Sequence, residues 1–159
     1  MKKIISLVII GMLSIGMVGC GKDYVLQEQI DIFESINIKS EDVYSVDEYC
    51  DIYREMGFKV EKHSDYIHCE IIIDEDIYHQ FQKDVREIGI RKAREKYGID
   101  ELIKNVVIVN LEQKEILNEL DEDVSLYFII TTDGYCDKHL SSMISVYDGK
   151  LETDAFKIK

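Results

Sequence analysis

Apolar residues recur along this chain with two periods, behind one nearly unbroken run from Ile4 to Val18. Helical spacing comes first. A loose stripe of Val25, Gln29, Ile32, Phe33 and Ile36 predicts a helix around 24–35. Val46, Tyr49, Cys50, Tyr53 and Met56 mark a second helix, which Gly57 stops. Its start, Ser45-Val46-Asp47-Glu48, fits a capping box, in which the Ser hydroxyl serves a backbone N–H while Glu48 reaches back. From Phe58 the period drops to two, with Phe58, Val60 and Lys62 alternating against Lys59, Glu61 and His63. Ser64-Asp65 reads as a turn, and Tyr66 to Ile73 as a strand dense in β-branched residues. Asp74-Glu75-Asp76 then opens one long helix over 75–97, with Ile77, Phe81, Val85 and Ile88 on its buried stripe and Gly98 at its end. Its acids stand at the start, and Arg91, Lys92, Arg94 and Lys96 at the finish, as the helix dipole favours.

The last third reads as β. Val106–Leu111, Val124–Thr132 and Met143–Tyr147 are predicted strands, and residues 151–158 pair back after an Asp148-Gly149 hairpin turn. Gln113 to Leu120 fits either an extension of the Val106 strand or a turn of helix. These elements predict an α+β class, an antiparallel β-sheet with packed helices, in the order α-α-β-β-α-β-β-β-β. No repeat and no Pro- or Gly/Ser-rich linker divides them, so 24–159 is expected to be a single domain.

The opening run is something else. About 15 apolar residues fall short of the roughly 20 that span a bilayer, and they match a signal-peptide core behind Lys2 and Lys3. The run ends in Met17-Val18-Gly19-Cys20, which closely resembles the lipobox of bacterial lipoproteins: an aliphatic residue and two small ones before an obligatory cysteine. That resemblance implies a diacylglyceryl group on the Cys20 thiol and cleavage between Gly19 and Cys20, leaving a signal peptide over 1–19 and a lipidated tether over 20–23. A thiolate is the side chain nucleophilic enough for such alkylation near neutral pH. It also implies a location on the outer face of the cytoplasmic membrane, lipid-anchored and extracytoplasmic.

Charge and composition then limit the partners. With Lys2 and Lys3 in the leader, the remaining 140 residues hold 17 basic and 32 acidic side chains, a net charge of −15. Such a balance repels a polyphosphate, so no nucleic-acid partner is expected. At 46 % hydrophobic the chain is too apolar for intrinsic disorder.

The candidate chemistry is sparse. Cys50 falls on an apolar helix face, and Cys69 alternates with Ile67, Ile71 and Ile73, so both read as small buried hydrophobes. If the oxidising compartment forms a disulfide, Cys69–Cys136 is the preferred pair, since both lie in or beside predicted strands. His68, Cys69, Cys136 and His139 offer zinc-type donors, but adjacent strand residues point to opposite faces, and no metal or other cofactor is expected. Asp74-Glu75-Asp76 and Asp121-Glu122-Asp123 lack the spacing and Gly of a calcium loop. Ser141-Ser142 has no flanking elbow, and no nucleotide-binding or hydrolase fingerprint occurs.

Tyr66 and His68 share one strand face with Glu70 and form a candidate ligand pocket, provided the sheet curves. The element order is similar to that of the cone-shaped fold of nuclear transport factor 2, a likeness of topology over residues 24–158. It implies a curved sheet around helices. The function expected is a membrane-anchored lipoprotein acting as a non-catalytic binding or interaction module toward an envelope partner. The alternatives are a small-ligand binder with its pocket in the sheet, and an envelope enzyme without a local motif.

Overall fold

A computed structural model describes residues 23–121, 123–132 and 143–154 of the 159-residue chain. Its first two helices are α1, Gln27–Ser35, and α2, Val46–Glu55, with a single 3-10 turn at Ser40–Asp42 between them. The α2 start is the expected capping box, shifted by one residue on its return arm. The Ser45 hydroxyl accepts from the Glu48 N–H at 3.2 Å, and the Glu48 carboxylate accepts from the Tyr44 N–H at 3.0 Å. A hairpin of β1, Lys59–Lys62, and β2, Tyr66–Ile73, follows.

The predicted helix over 75–97 is helical but broken. It runs as α3, Glu75–Ile88, and α4, Ile90–Tyr97, with Gly89 between them at φ 85° and ψ 153°. That conformation is open only to glycine. Asp74 caps α3 by accepting from the Asp76 N–H at 2.9 Å, so the first acidic cluster is a helix start. The two short helices pack through an edge-on Phe81–Tyr97 contact at 5.1 Å. Beneath it the nearly buried Asp84 carboxylate accepts from Lys96 at 2.7 Å, Tyr97 at 2.9 Å and Gln80 at 3.1 Å. Hydrogen bonding from Lys96, above all, holds Asp84 below the usual carboxylate range.

The predicted strand at Val106–Leu111 is not a strand. It lies inside α5, Ile99–Leu120, which also absorbs the ambiguous Gln113–Leu120 stretch. The α5 residues Ile99, Leu102, Val106, Val109, Asn110, Gln113 and Leu117 are buried, a helical recurrence that its β-branched run disguises. Tertiary packing overrides local strand preference here.

After α5 come β3, Ser125–Thr132, β4, Ile144–Tyr147, and β5, Lys150–Asp154. The five strands form one sheet in the order β1-β2-β3-β4-β5. The chain is α+β, with helices packed on one mostly antiparallel sheet. One strand pair departs from the expectation: β2 and β3 are parallel, in register from Tyr66↔Ser125 to Ile73↔Thr132. The helical crossover α3–α5 between them supplies the length that parallel neighbours need.

Strand alternation sorts the side chains between the two sheet faces. Ile67, Cys69, Ile71 and Ile73 of β2, with Leu126, Phe128 and Ile130 of β3, turn into the core. There Phe33, Tyr53, Phe58 and Phe128 meet ring to ring at 5.3 to 5.9 Å. The hydroxyls of Tyr49 and Tyr53 are served by Gln113 of α5, Tyr53 donating to its Oε1 at 3.1 Å, so these polar atoms are buried without being orphaned.

Candidate functional site

The other face of the sheet carries the chemistry. Register places Glu61 of β1 opposite His68 of β2, His68 opposite Tyr127 of β3, Tyr127 opposite Tyr147 of β4, and Tyr147 opposite Lys150 of β5. One row therefore crosses all five strands. Tyr66 stands one step along β2 on the same face, and His63 follows Glu61 by two residues at the end of β1. The His63 N–H donates to the Tyr66 carbonyl at 2.8 Å, closing the hairpin at Ser64-Asp65.

The rings on this face touch continuously. His63 stacks on Tyr66 with centroids 4.1 Å apart, and Tyr66 meets His68 at 4.8 Å. His68 meets Tyr127 edge-on at 5.3 Å, and Tyr127 stacks on Tyr147 at 4.4 Å and 14°. The cross-strand pairs among them, His68 with Tyr127 and Tyr127 with Tyr147, stabilise a sheet by a few tenths to about 1 kcal/mol each. Tyr147 and Ser125 exchange a hydroxyl contact at 3.3 Å. The rings of Tyr66, His68, Tyr127 and Tyr147 are half-buried and that of His63 is exposed, and hydroxyls and imidazole nitrogens along the row are within reach of a partner.

Electrostatics act on His68, Tyr127 and Glu61. Partial burial pushes His68 below the ordinary histidine range, and neighbouring His63 adds to the effect against the pull of Glu61 and Glu70. His68 is therefore neutral at physiological pH. Burial pushes the Tyr127 phenol up, which favours its neutral form. Lys59 lies 3.1 Å from Glu61 Oε1 and 3.5 Å from Glu70 Oε2, and its hydrogen bond lowers Glu61. Glu61 Oε2 in turn sits 3.9 Å from His63 Nε2.

Tyr66 and His68, the expected pocket residues, are thus adjacent on the sheet face away from the helices. Sequence inspection missed four of their companions: Glu61, His63, Tyr127 and Tyr147. Their parity along each strand was visible, but cross-strand register was not. Cys69 is a free, buried thiol, as is Cys50, and burial raises both. Gly19, Cys20, Cys136, His139, Ser141 and Ser142 lie outside the described residues. Among the described residues, no helix is long and apolar enough to cross a membrane.

No protein-family model, curated protein or solved structure matches this chain.

Proposed function

We propose that the chain is a bacterial lipoprotein, anchored through Cys20 on the extracytoplasmic face of the cytoplasmic membrane, whose domain is a binding or interaction module for an envelope partner. The single observation behind it is Met17-Val18-Gly19-Cys20 at the end of a short apolar run. Two acyl chains attach a protein stably where one gives marginal binding, each buried CH₂ contributing about 0.8 kcal/mol. The net charge of −15 after the leader offers no attraction to an anionic surface, so the lipid must supply the attachment.

The start of the domain suits a short anchor. Val25 and Leu26 donate backbone N–H bonds to the carbonyls of Lys96 and Tyr97, both at 3.2 Å, and Leu26 is fully buried. From Cys20 to Tyr24 a fully extended chain spans at most about 14 Å. A domain held so closely would keep the end of α4 beside the anchor. The ring row from His63 to Tyr147 is the recognition surface in this proposal, since aromatic faces with hydroxyl tips bind by stacking and hydrogen bonding at once.

Labelled palmitate fed to cells tests the anchor. Wild type should incorporate label, and Cys20→Ala should incorporate none and persist as an unprocessed precursor. Label on the Cys20→Ala protein, or none on wild type, overturns the proposal.

A further inference from the structure

Three donor groups, two imidazoles and a carboxylate, converge at the hairpin end of the ring row. Glu61, His63 and His68 each offer one ligand atom, and these atoms all lie within 4.8 Å of one another. The fold produces this directly. Glu61 of β1 and His63, just past its end, are two residues apart, while antiparallel register sets His68 opposite Glu61. We infer that Glu61, His63 and His68 bind a divalent transition-metal ion, Zn²⁺ first, at the open edge of the sheet.

The donor set fits that class of ion. Two imidazoles and one carboxylate are the ligands of borderline cations, whereas calcium and magnesium take oxygen alone. Ligands around tetrahedral zinc stand about 3.3 Å apart, given bonds of about 2.0–2.2 Å. His63 Nε2 and Glu61 Oε2 are already 3.9 Å apart, so small side-chain rotations close the shell. Glu61 and His63 are exposed and His68 half-buried, which gives the ion a path in from solvent.

Surrounding groups hold the ligands in place. Lys59 engages Glu61 Oε1 and leaves Oε2 toward His63. Stacking on Tyr66 fixes the His63 ring plane, and Tyr127 abuts the edge of His68. Outer partners of this kind orient metal ligands and raise affinity. Three protein ligands leave at least one coordination position for water or for a donor atom of the partner, beside the Tyr66 and Tyr127 rings. Among the chain's four histidines, His79 lies elsewhere, on α3, paired with Glu75 at 3.1 Å. This set, Glu61-x-His63 with His68 across the turn, is none of those the sequence suggested. It does not depend on the lipid anchor; its failure would leave the Cys20 proposal standing.

Cobalt(II) added to the full chain in detergent is the test, because its visible spectrum reports both geometry and ligand type. Wild type should bind one ion with the d–d bands of a nitrogen/oxygen site, and Zn²⁺ should displace it. His63→Gln and His68→Gln should each weaken binding by about tenfold or more, Glu61→Gln should weaken it too, and His79→Gln should leave it unchanged. Circular dichroism checks that each variant is folded; should His68→Gln fail that check, exposed His63 decides. No binding by wild type, undiminished binding by folded His63→Gln, or a sulfur-to-cobalt charge-transfer band pointing to cysteine would overturn the inference.

Discussion

Replacing Asn110 with Leu removes the one side chain that ties the middle of α5 to three separate parts of the sheet. Asn110 is fully buried. Its Nδ2 donates to the Leu126 carbonyl of β3 at 3.0 Å and, at the limit of bonding distance, to the Val146 carbonyl of β4 at 3.5 Å. Its Oδ1 accepts the Gly149 N–H at 2.8 Å. That last bond matters most. Asp148 and Gly149, at φ 50° and 68°, form the tight turn between β4 and β5, and the second central N–H of such a turn has no acceptor within the turn.

Leu has the branching of Asn, but its bulkier methyls would stand where the amide atoms make contacts of 2.8 and 3.0 Å, so overpacking adds to the loss. The lost hydrogen bonding sets the floor. Each good bond contributes about 1 kcal/mol net, and a stranded buried donor costs about 1–3 kcal/mol. The expected loss is about 2–4 kcal/mol, large against a typical stability of about 5–15 kcal/mol. Urea unfolding followed by far-ultraviolet circular dichroism measures it, with an unchanged slope confirming that only stability moved. A loss below about 1 kcal/mol would show that Asn110 does not pin the turn, leaving Lys114, which pairs with Asp148, to tie α5 to the last hairpin.

Gly89→Ala should cost about 1–3 kcal/mol in the same assay, because no Cβ-bearing residue holds φ 85° with ψ 153° comfortably; an unchanged or raised stability would mean that α3 and α4 can run as one helix. For His68 the sign follows from its depressed value: burial disfavours the imidazolium in the native state, so the unfolded chain takes the proton first as pH falls. Stability is then fully present above the unfolded value of about 6.5 and is lost as pH drops through the folded one, so wild type should lose more between about pH 8 and pH 5 than His68→Gln does. Equal losses in the two proteins would remove His68 from the pH dependence.

Much of this protein follows from the chain read by itself. The capping box at Ser45, the hairpin from Phe58 to Ile73, the acidic start of α3 and the Asp148-Gly149 turn are all local, set by period, caps and turn chemistry within a few residues. The core positions of β2 were equally legible, since alternation in a half-buried strand declares its inner face. Two features needed tertiary structure. Val106–Leu111 carries strand-like residues, yet it is helical because Leu102, Val106, Val109, Gln113 and Leu117 face one core, where Gln113 meets buried tyrosine hydroxyls. Polar Asn110 and Gln113 hid that stripe, as their partners lie 16 to 75 residues away. The convergence of Glu61, His63 and His68 and the ring row to Tyr147 were hidden for the same reason. A strand reveals which face a residue takes; only pairing between strands decides which residue stands opposite, and that register is set by long-range packing that no local pattern encodes.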